Sequence, residues 1–352
     1  MIKNIEVLTI EDGGNPRTMY DIMREEKGFL IHPFSEDNDG NYRFRLNVEI
    51  VNNSKEKIPV LFNIEWGDVE HQEARKYLLL SYSDDHWERF DTDINGTIAS
   101  AIIKVPPGRS ILCMHPRYEY GHFLKLVCTL PGDIFSIRKI GKSRKNRDVL
   151  AIEAGNKKKR PLVVMSRVHP YETIGSYFVD GMLKWLITNE EDAEKLLQEN
   201  NIIFLPMPNP DGVAEGTCKL TLGGLNFEAG FYENCAEPEG AAVRDYLLEK
   251  NPSAILDLHG WMYDRDIILS NDPERGRTMY ANLTSNTELF DKVIAMVYAK
   301  YPMFGRECNI SAYIANKQGA VYFDTSWSWY GKTADILRNM GIHLLKVYSE
   351  LF

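Results

Sequence analysis

Two segments of the chain carry side chains whose types and spacing suit metal chemistry. His169 and Glu172 stand three residues apart in His169-Pro170-Tyr171-Glu172, after the apolar run 160–166 (RPLVVMS) and before a helical pattern. On a turn into a helix the two can point at one centre, and a neutral imidazole and a carboxylate are both good zinc ligands. A catalytic zinc takes three protein ligands and keeps one position open for water. His259 is the candidate third. It follows the apolar run 254–258 (AILDL), and Gly260 behind it permits close backbone approach. Taken singly each signal is weak. An H-x-x-E pair arises by chance, and a lone histidine after a strand is more often a hydrogen-bonded structural residue.

The elements that must position these residues fall into two groups. Through residue 130, short β-branched and aromatic runs recur between polar turns: 42–51, 58–66, 97–105 and 122–130. In the first, Phe44, Leu46, Val48 and Ile50 share one face, and Arg45, Asn47 and Glu49 the other. Turn signals separate the runs at 52–54, 106–108 and 131–133. This rhythm predicts an antiparallel β-sandwich over residues 1–130. From residue 131 to 352, buried-strand candidates (160–166, 201–206, 254–258) alternate with helical patterns (174–186, 241–248, 287–298, 333–351). That predicts an α/β domain with a mixed or parallel central sheet, whose sites form at the carboxyl ends of strands.

Bulk properties narrow the partners. The chain has 352 residues, 44% of them hydrophobic and 26% charged, as in an ordinary soluble globular protein. A formal net charge of -9 argues against nucleic acid as a main partner. The lysine-rich stretch 156–160 reads as a solvated turn. Cys113, Cys128, Cys218, Cys235 and Cys308 are odd in number, widely spaced and without a C-x-x-C pair, which fits free thiols in a reducing compartment. With no signal-peptide pattern and no run long enough to span a membrane, a cytoplasmic location and no membrane partner are expected.

Three motifs in order carry a resemblance: His169-Pro170-x-Glu172, then Asn209-Pro210-Asp211-Gly212, then Asp257-x-His259-Gly260. Together they resemble the zinc metallocarboxypeptidases, and the cytosolic carboxypeptidase branch in particular, which also has a β-sandwich before the catalytic domain. Residues 113–123 (CMHPRYEYGHF), leading into 136–142, resemble that branch's junction between the domains. The resemblance implies Zn2+ held by His169, Glu172 and His259, with the metal activating a water and polarising a carbonyl. It leaves Asp257 as a support for the site or a purely structural residue.

The match then departs from the family. The Arg expected ten residues beyond Asn209 is Lys219, a point charge without the planar fork of arginine. The family's G-x-D-L-N-R reads Gly224-Leu225-Asn226-Phe227-Glu228-Ala229. Anchored on the glycine, Glu228 and Ala229 replace the Asn-Arg pair that grips a terminal carboxylate. Slipped by two, Asn226 is retained but Phe227 replaces the arginine. The general-base Glu corresponds to Asp324, and a Tyr that closes over substrate to Tyr313. Three readings follow. The first is a zinc-dependent amide hydrolase acting on a small peptide or amide-containing molecule without a free C-terminal carboxylate. The second is a cytosolic-type carboxypeptidase, if Arg265 or Arg275 replaces the missing arginine. The third is a zinc-binding recognition protein without catalysis.

Overall fold

A computed structural model describes residues 2–14, 22–34, 36, 40–83, 85–188, 190–227, 237–298 and 309–352. The first ten strands are Ile5–Thr9 (β1), Ile22–Arg24 (β2), Gly28–Ile31 (β3), Asn47–Asn52 (β4), Ile58–Glu65 (β5), Tyr77–Ser83 (β6), His86–Asp91 (β7), Asp93–Asn95 (β8), Ile98–Val105 (β9) and Gly108–Cys113 (β10). They form two five-stranded sheets, ordered β1-β4-β10-β6-β7 and β2-β3-β5-β9-β8. The first is antiparallel throughout; in the second, β3 runs parallel to β5. Phe44, Leu46, Val48 and Ile50 are buried in the core between them, as the alternation predicts.

The opposite face of that segment is buried too. Arg45 donates to the Thr217 carbonyl at 2.8 Å and to Glu119 at 2.9 Å, and Asn47 donates to Glu119 at 2.9 Å. Both faces of the segment are therefore spoken for: one packs the sandwich, the other joins it to the later half of the chain.

Residues 122–130, read as a strand, lie instead in a helix, Tyr120–Thr129 (α1). Its buried residues Phe123 and Leu126 repeat at helical spacing. Glu119 and His122 close a reciprocal capping box at its start.

The second half is built on an eight-stranded mixed sheet. Its elements in chain order are Phe135–Lys142 (β11), Asp148–Gly155 (β12), Leu162–Ser166 (β13), Ile174–Leu186 (α2), Glu191–Glu199 (α3), Asn201–Leu205 (β14), Pro210–Glu215 (α4), Pro238–Lys250 (α5), Ala254–Trp261 (β15), Asp266–Ser270 (β16), Pro273–Thr284 (α6), Val293–Tyr298 (β17), Ile310–Gln318 (α7), Val321–Ser328 (β18) and Ala334–Ser349 (α8). The sheet order is β11-β12-β14-β13-β15-β18-β16-β17, and the four central strands β14, β13, β15 and β18 are parallel. The α/β architecture and the preceding β-sheets match the expected fold class. The helical pattern read over 287–298 is a misassignment, because 293–298 (VIAMVY) pairs as a strand with β16. A continuous apolar run of that length does not distinguish helix from buried strand by periodicity.

Side chains of the central strands divide by the two-residue period. Leu162, Val164 and Leu256 join the core that contains α2 and α8, whereas Val163, Met165 and Ile255 join a second core with α5 and α7. Every residue of α2 except Lys184 is buried, and the buried Asp180 is answered by Lys184 and Arg338. Cys113, Cys128 and Cys218 are free thiols; Cys235 and Cys308 lie outside the described residues. No helix among the described residues is long and apolar enough to cross a membrane.

The Arg45–Glu119 pair is almost wholly buried, at 3% and 1% side-chain exposure. Removing one partner of such a pair leaves a desolvated charge behind. Arg45→Ala is expected to destabilise the fold by about 3–5 kcal/mol, read as a lowered urea midpoint; an unchanged midpoint would show that the pair does not hold the two halves together.

Candidate metal centre

The turn that carries His169 and Glu172 begins with a strained residue. Arg167, next after β13, has φ 57° and is fully buried. A non-glycine residue in the left-handed region needs compensation from its surroundings. Here the guanidinium donates to the Pro170 carbonyl at 2.7 Å, to Ser176 Oγ at 3.0 Å and to the Tyr118 carbonyl. Burial pulls its pKa down to about 10, so it remains a cation at neutral pH. The junction segment read at 113–123 thus supplies an anchor for the ligand turn.

Asn209-Pro210-Asp211-Gly212 supports the same turn from the other side. Asn209 caps α4 by accepting from Gly212 N at 3.0 Å, and its Nδ2 donates to the Val168 carbonyl at 3.3 Å. A Cβ on Gly212 would stand 2.5 Å from Pro170 Cγ, so only glycine fits against the His-Pro step. Asp211 accepts from Ser143, Arg147 and the Lys145 amide. This motif is scaffolding for the ligand turn.

His259 arrives on the neighbouring strand. β15 extends three residues past the expected end at Leu258, because β18 continues alongside and pairs as far as Trp261 with Ser328. A Cβ on Gly260 would lie 2.2 Å from Ile174 Cγ2, so the first turn of α2 can press against this strand only at a glycine.

His169, Glu172 and His259 converge as the spacing suggested. One ligand atom from each lies within 4.8 Å of the others, and all three residues are buried. His169 Nδ1 is 2.8 Å from Glu172 Oε1, and His259 Nδ1 is 2.9 Å from Glu172 Oε2. Burial pushes the Glu172 carboxyl up, but the two imidazoles outweigh it and hold the group well below the usual carboxylate range. A desolvated carboxylate flanked by two ring nitrogens calls for positive charge, which a divalent cation supplies. Two imidazoles and one carboxylate are also the donor set of catalytic zinc. The residues therefore fit the metal that the motifs imply.

The far ring nitrogens differ: that of His169 has a side-chain partner, whereas that of His259 faces two carboxylates beyond hydrogen-bond geometry. His169 Nε2 is 3.1 Å from Asn226 Oδ1. His259 Nε2 is 3.5 Å from Asp257 Oδ1 and 3.9 Å from Asp324 Oδ1. Asp257 and Asp324 sit opposite one another on β15 and β18. Ser311 Oγ donates to Asp257 at 2.9 Å, and Asn309, the N-cap of α7, donates to Asp324 Oδ2 at 3.2 Å. Asp324 is thus at the centre. Phe227, next to Asn226, is fully buried in the second core. Glu228 and Ala229 lie outside the described residues.

Lys219 is engaged by neighbours contributed by the sandwich. Its ammonium meets both carboxylate oxygens of Glu70, at 3.0 and 3.1 Å, and lies 5.4 Å from the Tyr42 ring centroid. His71 packs on Phe44, which packs on Tyr171 of the ligand turn. Burial and the Lys219 charge lower the His71 pKa, against the pull of Glu70 and Glu172. Glu36 accepts from the successive amides of Cys218, Lys219 and Leu220. No sequence signal marked Glu36, Glu70 or His71, because their roles exist only once the two halves meet.

Tyr313 lies on α7, where Lys317 stands over its ring, and no contact with the triad is recorded among the described residues. Arg275 pairs with Asp272 and lies over Phe352, while the exposed Arg265 stacks on Trp261 and Tyr263. Trp327 and Trp329 are buried in the main core.

This is the fold of the metallocarboxypeptidases, with a candidate metal-binding cluster at the carboxyl ends of two parallel strands. The zinc carboxypeptidase family model matches residues 120–224. Over 149 residues, 41% of this chain, the protein is 26% identical to cytosolic carboxypeptidase 2 of Xenopus tropicalis, and over 117 residues, 32% of this chain, 39% identical to cytosolic carboxypeptidase 2 of Homo sapiens. The matched stretches span only 15% and 13% of those relatives' lengths. A metallo-carboxypeptidase from Burkholderia cenocepacia superposes with TM-score 0.84 at 15% identity, covering 99% of this chain and 98% of its own. One from Pseudomonas aeruginosa, solved in complex with (2-guanidinoethylmercapto)succinic acid, superposes with TM-score 0.80 at 15% identity over 98% of each chain. Part of the chain is thus similar to the zinc carboxypeptidase family, and the similarity to the cytosolic branch stands.

Residues that fix ring orientation around a metal typically contribute one to two orders of magnitude in affinity. Asn226→Ala is expected to weaken zinc binding about 10- to 100-fold, measured by competition with a chelating dye, and His169→Ala to bind no stoichiometric zinc. Full zinc retention in the His169 variant would remove the assignment.

Proposed function

We propose that the protein is a zinc-dependent hydrolase that cleaves an amide bond in a small peptide or amide-containing molecule lacking a free C-terminal carboxylate. One observation carries the restriction on substrate. In the segment where the family places its carboxylate-gripping Asn-Arg pair, Asn226 is engaged with His169 and Phe227 is packed in the core. These placements favour the glycine-anchored register, which puts Glu228 and Ala229 at the grip. That register offers no arginine at the grip for a two-pronged guanidinium clamp on a carboxylate. The guanidinium of Arg275 is engaged instead with Asp272 and the Leu351 carbonyl, which supports this reading.

In this reading His169, Glu172 and His259 hold the zinc, with residues 131–352 as the catalytic domain and residues 1–130 as the sandwich. The bound metal would lower the pKa of a water and polarise the scissile carbonyl. Asn226 orients His169. Asp257 is nearer than Asp324 to His259 Nε2, so it is assigned the orienting role there. Asp324, held by Asn309, is left to accept the proton of the attacking water and return it to the leaving amine. Lys219 is the positive group for the developing oxyanion. Glu228 and Tyr313 are assigned to substrate contact. The cytosolic carboxypeptidase relatives support a second reading, removal of C-terminal residues with an unusual pocket.

Paired substrates separate the two. An N-acylated amine or amidated peptide is expected to be hydrolysed, with activity lost to a chelator and restored by zinc; cleavage of free-acid peptides that disappears on amidation would favour the second reading. Asp324→Asn is expected to lower kcat about 10²- to 10⁴-fold while zinc stays bound. Unchanged turnover in that variant would rule out Asp324 as the base.

A further inference from the structure

Lys219 is the cation nearest in role to the family's carbonyl-facing arginine, yet its charge is already answered from the sandwich. Glu70, in the segment between β5 and β6, contacts it with both carboxylate oxygens. The burial is lopsided: the Lys219 side chain is 11% exposed and that of Glu70 42%. A solvent-accessible carboxylate therefore covers a largely buried ammonium. The Glu70 backbone is tied down as well, its amide donating to the Asn41 carbonyl at 3.1 Å.

Three connections place this pair beside the metal centre. The carbonyl of Cys218 accepts from the Tyr171 amide within the ligand turn at 3.1 Å. Leu220 forms a bridge with Asn226, which contacts His169. His71, adjacent to Glu70 in the chain, interacts electrostatically with Lys219 and Glu70 on one hand and with Glu172 and His169 on the other.

We propose that Glu70 is a specificity-determining residue: by neutralising Lys219 at the rim of the metal cleft, it disfavours substrate ends that carry a carboxylate and admits amide-, hydroxyl- or amine-bearing ends. An incoming carboxylate bound to Lys219 must displace Glu70 or sit against it, and juxtaposed like charges discriminate strongly against a ligand. A neutral end meets no such opposition. This deepens the amidase reading and rests on it only in that substrate enters on the Lys219 side of the triad.

The test uses the full chain and a readout that does not need turnover. Binding of acetyl-phenylalanine and of its amide is measured by calorimetry on the wild type, Glu70→Gln, Lys219→Met and the double variant, with zinc content and Tm recorded for each. Glu70→Gln is expected to bind the free acid about tenfold more tightly than the wild type and the amide within about twofold. In the Lys219→Met background, Glu70→Gln should change neither. An unchanged acid-to-amide ratio in a folded Glu70→Gln protein overturns the proposal, as does a gain that persists without Lys219. Failure of the acid to bind Glu70→Gln at all also counts against it. Efficient hydrolysis of free-acid peptides by the wild type would instead overturn the amidase reading, while the binding ratio still judges Glu70.

Discussion

The structure turns on a buried carboxylate held between two imidazoles. Glu172 has almost no access to water and faces His169 Nδ1 and His259 Nδ1 with its two oxygens. Such a group is costly unless positive charge meets it. Much of the surrounding architecture follows from bringing these three side chains together and keeping them there. Two parallel strands, β13 and β15, deliver the ligands from adjacent ends, and α2 starts two residues after Glu172.

Around that centre, the motifs divide into residues that would touch a metal and residues that hold backbone. Arg167 takes a strained conformation and donates three hydrogen bonds where the chain bends after β13. Asn209 and Gly212 press the adjoining loop against the His-Pro step. The supports of the candidate site are buried and hydrogen-bonded, which is what precise placement of ligands demands.

The sandwich is more than an appended domain. Its central strand region offers one face to its own core and, through Arg45 and Asn47, the other to the ligand-bearing half. Glu36, Glu70 and His71 then reach the segment that carries Lys219. The charge around Lys219 is thus set partly by residues far from the metal motifs in the chain.

The sequence by itself determined which three side chains converge, the order of the motifs and the α/β class. Those signals are local: a turn after an apolar run, a glycine where backbones must meet, strands alternating with helices. It misjudged 122–130 and 287–298, where short apolar runs satisfy helix and strand periods about equally and long-range packing chose between them. Only the tertiary structure decided that Asn226 turns to His169, that Phe227 goes to the core, and that Glu70 covers Lys219. The physical reason is distance along the chain: Glu70 and Lys219 are brought together by the packing of two halves, and an ion pair of that kind leaves no periodic or spacing pattern behind.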